Sequence, residues 1–266
     1  MRFDLITIFP EFFSSILDHG VLRRAIAAEK VTVAIHDLRS FTHDRHRTVD
    51  DRPFGGGEGM VLKPEPLAEA IESLGLGAKD GRRREQVILL SAQGARFTQT
   101  VARELAELER AVLLCGRYEG VDERVNELFC DRELSIGDYV LSGGELAAAI
   151  VVDATTRLLP GVLGNEASSE FESFGLVDAG PAEAGMAPRS THGAGGILDY
   201  PHYTRPAEFR GLAVPEVLAQ GDHAAIRRWR RERALEKTLK NRPDLLGGAA
   251  LSGEDRAFLA GLGWKD

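Results

Sequence analysis

The chain has 266 residues, 43% of them hydrophobic, enough for one large domain and a smaller one around a substantial core. It contains no 18-residue apolar run to cross a bilayer, and the start Met1 to Pro10 lacks the basic flank and long apolar core of a signal peptide, so a soluble cytoplasmic protein without membrane contact is expected. The net charge of −8 argues, as a whole-chain sum, against a nucleic-acid partner but leaves room for a local basic surface.

Short apolar runs at Arg2 to Ile8, Val31 to His36, Gln86 to Ser91, Ala111 to Cys115 and Arg132 to Ser135 predict strands. Between them, Glu11 to Leu17, Pro64 to Leu74, Thr98 to Glu109 and Val121 to Phe129 carry apolar residues at i, i+3 or i+4 and predict helices. This alternation implies an α/β domain with a mainly parallel sheet covered on both faces. Ser142-Gly-Gly-Glu145 has the spacing of a capping box and predicts a helix through Leu146, Ile150 and Asp153 to Arg157, ending before Pro160. That helix is apolar on nearly every side until its last turn, so it belongs in the domain core or at a subunit interface.

From Leu163 to Ile197 the composition shifts to Gly, Ala, Ser, Pro and Glu with little periodicity, as in a long linker. Pro201 to Pro206 then leads into helical sequence over Val214 to Leu246 and Glu254 to Leu262, a small all-helical second domain. The expected division is 1–162, a linker over 163–197, and 198–266. Cys115 and Cys130 are too few for a disulfide framework and lack metal-ligand spacing, so both are expected as reduced thiols in or near the core.

Two glycine-rich turns follow short apolar strands, Cys115 to Val121 and Ser135 to Glu145. Glycine lets a ligand approach the main chain closely, so the pair suggests a small-molecule pocket built largely from backbone groups. Neither turn has the order of a dinucleotide or triphosphate loop, which leaves an uncharged or cationic nucleoside-like ligand.

Phe41 to Met60 is a polar loop crowded with ionisable side chains. His43 and His46 beside Asp44 lack a third strong ligand, and Arg45, Arg47 and Arg52 repel a cation, so no metal is expected there. A surface loop laced by ion pairs is one reading; guanidinium contacts to a phosphate or to the edge of guanine are the other. Ala225 to Arg233 places five Arg within seven residues. On a helix, Arg227, Arg230 and Arg231 share a side, either as a solvated polar face or as a patch for RNA phosphates, while Trp229 is expected to pack in the core. Arg157, four residues after Asp153, suits a helical ion pair, and Glu170 and Glu172 read by themselves as surface carboxylates. A carboxylate there would become a general base if the linker folded over an active site.

Over nearly its whole length the chain resembles the bacterial tRNA (guanine-N(1)-)-methyltransferases, members of the trefoil-knotted SPOUT group. The resemblance rests on Phe9-Pro-Glu, Thr42 through Pro53, Gly55-Gly-Gly, Cys115-Gly-Arg-Tyr-Glu-Gly, Ser135 through Glu145, Pro160-Gly-Val-Leu-Gly, Pro201-His-Tyr-Thr-Arg-Pro and Arg227-Arg-Trp-Arg, in that order. It implies a deep knot, a topology pattern reading would not propose, and S-adenosyl-L-methionine as methyl donor. The donor would be held by Leu90, Ser91, Gly116, Tyr118, Glu119, Gly120, Ser135, Ile136, Gly137, Asp138, Tyr139, Val140, Leu141, Gly143 and Gly144.

The resemblance also implies a homodimer with a shared active site and a tRNA acceptor, the guanosine at position 37 preceded by another guanosine. The polar loop would present the guanine through His46, Asp50, Arg52, Gly55 and Gly59. Asp199 matches a carboxylate the family places near the donor, and Arg227, Arg230 and Arg231 would grip the anticodon branch. Arg157 matches the arginine that stabilises charge on guanine O6. The family's general base is an aspartate before Ser-Phe; the matching position here is Glu172, one methylene longer, with Glu170 as the second candidate. Ala92 stands where the family often has proline, and the linker is longer than usual. Magnesium stays open as an auxiliary ion, since no magnesium site is legible in these residues. A knotted RNA-binding protein without methyl transfer, and an enzyme of this fold acting on ribose 2′-hydroxyls, are the rival readings; the polar loop and Pro201 to Pro206 argue against both.

Overall fold

The first apolar run forms strand β1 (Arg2–Thr7), in which residues 3–7 are all buried, as a central strand covered on both faces requires. In the computed structural model, which describes residues 1–164, 172–175 and 195–265, β1 lies between β2 (Thr32–Asp37) and β6 (Arg110–Cys115). Strands β5 (Glu85–Arg96) and β7 (Arg132–Ser135) complete a five-stranded parallel sheet of order β2-β1-β6-β5-β7.

Alternate strand residues supply two apolar layers. Phe3, Leu5, Ile88, Leu90 and Leu113 pack with residues of α2 (Gly20–Ala27), α4 (Gln99–Ala106) and α6 (Glu145–Thr156). Ile6, Val87, Leu89, Val112 and Leu114 pack with residues of α3 (Pro64–Ser73) and α5 (Glu123–Phe129). Both cysteines are free and buried. Burial pushes their thiols up, that of Cys130 to about 12, which keeps them protonated and unreactive.

Several boundaries differ from expectation for local reasons. The first predicted helix splits into a 3-10 turn at Pro10–Phe13 and a single turn α1 (Ser14–Leu17), while α2 has no counterpart among the predicted elements. The helix begun near Thr98 ends at Ala106, short of Glu109. Strand β5 does not stop at Ser91. Its register on β7 jumps between Leu90 and Ala95, so residues 91–94 bulge from the ladder before pairing resumes. A Cβ on Gly94 would lie 2.5 Å from the backbone of Glu133, so the return needs glycine. Within the polar loop, β3 (Asp50–Asp51) pairs antiparallel with β4 (Val61–Leu62).

Helix α6 also departs from the capping-box expectation. Its N-cap is Gly144, with no side-chain cap. The Glu145 carboxylate, which a capping box turns back to the chain, instead accepts hydrogen bonds from Thr7 Oγ1 at 2.8 Å and Arg117 Nε at 3.0 Å. The inner face of α6 is buried, yet Leu146 and Ile150 keep 48% and 45% of their surface exposed.

The chain divides into two compact units, Met1–Gly164 and Asn165–Asp266. The second is built on Ile197, Ala234, Leu235, Leu246 and Leu259, contributed largely by α7 (His223–Asn241), a 3-10 turn at Pro243–Gly248 and α8 (Gly253–Gly261). Helix α7 begins at His223 rather than Val214; Pro215 and the positive φ of Gly221 mark an irregular approach. The unit is not all-helical, because β8 (Glu208–Phe209) and β9 (Leu212–Ala213) form a short antiparallel ladder. Parts of the expected linker belong to it: Phe174 N–H donates to Ile197 O at 3.0 Å, Gly195 N–H to Gly175 O at 2.8 Å, and Ile197 is wholly buried. The remainder of that linker, residues 165–171 and 176–194, lies outside the described residues.

Candidate active site

The carboxyl ends of β5, β6 and β7 open into one cavity, the usual place for a ligand in a parallel α/β sheet. After Cys115 the chain turns through Tyr118 at φ 60° and Gly120 at φ 137°. After Ser135 it turns again, with the Ser135 hydroxyl donating to Gly137 O at 3.0 Å and Gly137 N–H donating to Ser135 Oγ at 3.2 Å. The two turns meet where Gly144 N–H donates to Gly116 O at 2.8 Å and Arg117 bridges to Gly143. A Cβ on Gly144 would sit 2.7 Å from Cys115 Cα, so this backbone-on-backbone passage admits only glycine.

The cavity holds about 220 Å³, and fourteen of the fifteen residues expected to hold the donor line it. Asp138 does not. Its side chain is 84% exposed and pairs with Arg96 at 2.6 Å, outside the cavity. Ala92, where the resemblance expects proline, also lines it, and sequence reasoning missed Gln93, Arg117 and Glu133, which do so too. Among the described residues the lining charges are Glu119, Glu123, Glu133 and a single cation, Arg117, whose guanidinium pairs with Glu145 at 3.0 Å. This set lacks the cluster of basic groups a polyphosphate needs and suits a neutral or cationic nucleoside, as S-adenosylmethionine is.

The polar loop returns onto the wall of this cavity. Glu119 N–H donates to Met60 O and Leu62 N–H to Gly120 O, both at 3.0 Å, and Asp122 N–H donates to Leu62 O at 3.1 Å. Gly55 and Gly59 have positive φ, and a Cβ on Gly59 would overlap the Glu119 side chain. Asp50 is half-buried in β3, whereas His46 and Arg52 are exposed. Asp44 shapes the loop: backbone hydrogen bonds, that from Thr48 first, hold its carboxyl below the usual range. His43 Nε2 lies 2.8 Å from Glu69 Oε2, so a hydrogen bond with that carboxylate accounts for this histidine.

Arg157 is the half-buried C-cap of α6, its backbone N–H donating to Asp153 O at 3.2 Å. In the second unit, Glu172 is half-buried and accepts Gly175 N–H through its carbonyl. Ser173 Oγ accepts Asp199 N–H at 2.9 Å, and Asp199 Oδ2 pairs with His202 at 2.9 Å. The segment bearing Glu172 and the start of the Asp199 to Pro206 segment are thus brought together. Glu170 lies outside the described residues.

The three helix arginines are not equivalent. Arg227 is exposed, and Arg230 lies over the Tyr200 ring at 4.9 Å. Arg231 donates to both oxygens of Asp255, at 3.0 and 2.8 Å, with both side chains largely buried. The expectation that Arg231 faces RNA is corrected by that pairing. Trp229 is likewise not in the core; it is half-buried against Tyr203, ring centroids 6.2 Å apart.

Residues 1–248 match the sequence model of the family described as tRNA (Guanine-1)-methyltransferase TrmD. A tRNA (guanine-N(1)-)-methyltransferase of Koribacter versatilis (strain Ellin345) is 63% identical over 262 residues, which cover 98% of each chain. Proteins of the same name from Geobacter metallireducens (strain ATCC 53774 / DSM 7210 / GS-15) and Geobacter sulfurreducens (strain ATCC 51573 / DSM 12127 / PCA) are 47% and 49% identical, again over 98% of each chain. With the whole sheet and both glycine-rich turns inside the matched region, the chain belongs to the tRNA (guanine-1)-methyltransferase TrmD family.

Proposed function

We propose that this chain transfers a methyl group from S-adenosyl-L-methionine to N1 of the guanosine at position 37 of tRNAs in which a guanosine precedes it. The observation that carries the reading is the backbone-lined cavity between the two turns, tied through β4 to the polar loop, in a chain of this family. When bound, S-adenosylmethionine supplies an electrophilic methyl on a cationic sulfur.

The chain's own groups then have defined tasks. Guanine N1 carries a proton at neutral pH and is a poor nucleophile until that proton is removed. Glu172 takes the proton as general base. The Arg157 guanidinium stabilises the negative charge that moves onto O6. His46, Asp50, Arg52, Gly55 and Gly59 present the guanine beside the cavity, and Asp199 steadies the segment that follows Glu172.

The close passage of Gly144 over Cys115 supports reading these turns as the crossing of a trefoil knot. The exposed Leu146 and Ile150, one turn apart on α6, support a second copy of the chain packing there as a homodimer that completes the site. Residues 198–266 would serve as the tRNA-binding domain, joined through 163–197. Among the described residues no helix is long and apolar enough to cross a membrane. The proposed tRNA substrates are what support a cytoplasmic location for the reaction. The steps above use side chains alone; an auxiliary magnesium ion is a separate proposal, which loss of turnover on chelation would support.

Incubating the protein with methyl-labelled donor and tRNA transcripts that do or do not carry guanosine at positions 36 and 37 tests the reading. Label should enter only transcripts with guanosine 37, and best when guanosine 36 is present. Labelling that ignores position 37, or none at all, would overturn it.

The arginines of α7 should separate in a salt titration. Arg227→Ala should weaken tRNA binding and flatten its log–log salt dependence by about one unit. Arg231→Ala should leave the slope unchanged and lower the stability of the second unit by roughly 2 kcal/mol, because it strips a buried carboxylate of its partner.

A further inference from the structure

The Arg117–Glu145 pair has no place in the steps above, yet it sits where the two donor turns are joined. Glu145 is 1% exposed and heads α6. It accepts from Thr7 Oγ1 at 2.8 Å, and Thr7 Oγ1 in turn accepts Phe9 N–H at 3.0 Å, so the carboxylate is anchored to the end of β1. On its other side it holds Arg117, through Nε and Nη2, both at 3.0 Å. The remaining end of that guanidinium, Nη1, donates to Ser142 O at 3.0 Å, and its face covers the Phe9 ring at 4.5 Å. Arg117 belongs to the first turn and Ser142 to the second, so one side chain fixes the gap between them.

The same pair settles a charge problem. Arg117 is the single Lys or Arg among the described residues lining the cavity. An uncompensated guanidinium there would repel a cationic ligand across a wall of low dielectric. The buried carboxylate of Glu145 cancels it.

Resting on the reading of this cavity as the donor site, we infer that Glu145 is its positioning and charge-balancing residue, acting through Arg117. It holds the two turns at the spacing the donor needs and lets the site accept the charged sulfonium in preference to the neutral thioether left after methyl transfer.

The two ligands differ by a methyl group and its positive charge, which makes their affinity ratio the readout. Titration calorimetry of the full-length protein with S-adenosylmethionine and with S-adenosylhomocysteine should show that Glu145→Gln weakens both, and the charged ligand more, shifting the ratio by on the order of tenfold against it. Arg117→Gln removes the cation along with its hydrogen bonds. It should weaken both ligands by loosening the turns without shifting the ratio against the charged one.

Equal losses for the two ligands in Glu145→Gln would reduce the pair to scaffolding and overturn the inference. Should Glu145→Gln fail to fold, Arg117→Gln carries the test, and unchanged affinities, or a ratio shifted against the sulfonium, overturn it. A wild-type protein that binds neither ligand would overturn the reading of the cavity itself, and the inference with it.

Discussion

Glu172→Gln should lower the single-turnover rate of methyl transfer by about 10²–10⁴, the usual worth of a positioned proton transfer. Glutamine keeps the shape of the side chain but cannot take the N1 proton. The local fold should tolerate the change, because Glu172→Gln leaves in place the Gly175 N–H bond to Glu172 O, the Gly195 and Gly196 N–H bonds to Gly175 O and the Asp199 N–H bond to Ser173 Oγ. Donor affinity and the thermal midpoint should therefore stay near wild type, which separates lost chemistry from lost folding. Glu172→Asp restores the residue of the family pattern, and it should keep the rate within about tenfold, because the carboxylate is retained and only its reach changes. Near-normal turnover in the Gln variant would move the role to Glu170, where the same substitution would then show the loss.

How far these features were legible in the sequence depends on whether their cause is local. Strand β1 was readable because a short, nearly unbroken apolar run suits a strand covered on both faces, and its five successive buried residues bear that out. The continuation of β5 to Arg96 was not: residues 91–94 carry no pattern, and the need for glycine at position 94 exists only once β7 lies against it. That the two glycine-rich turns line one pocket was legible because glycine order constrains the backbone directly. Within them, Asp138 was misplaced, since composition cannot tell which residues of a turn face inward, and Arg117 was passed over because its partner stands 28 residues away and that partner's anchor 138 further back. Helical spacing correctly put Arg227, Arg230 and Arg231 near one another. It could not foresee that α8 returns Asp255 to Arg231 alone. The role given to Glu172 came from family resemblance, because two glutamates beside a patternless segment hold no physical signal of catalysis.

Asp4→Asn should cost about 3–5 kcal/mol at neutral pH, the penalty for breaking a buried charge network by removing one partner. Asp4 has no exposed surface and accepts from Arg2 and Arg110 at 2.8 Å and from His36 at 2.7 Å. Burial by itself pushes this carboxyl up, but hydrogen bonds from His36, Arg2 and Arg110 outweigh it and hold the group far below the usual carboxylate range. An asparagine would leave one acceptor oxygen for four donor nitrogens from three residues and turn an amide N–H toward a guanidinium. Because the folded value is depressed, the stabilisation is fully present above the unfolded-state value near pH 4 and is lost as pH falls through the folded value. The gap between wild type and variant in urea unfolding should thus be widest near pH 7 and shrink below about pH 4. A gap independent of pH would mean that packing, not ionisation, carries the effect. The network joins Arg2 and Asp4 of β1, Arg110 at the start of β6 and His36 near the end of β2, and none of these four residues lines the cavity at β5, β6 and β7. Donor affinity in the folded fraction of the variant should therefore match wild type, so that Asp4 acts on the amount of folded enzyme and Glu145 on what the folded enzyme binds.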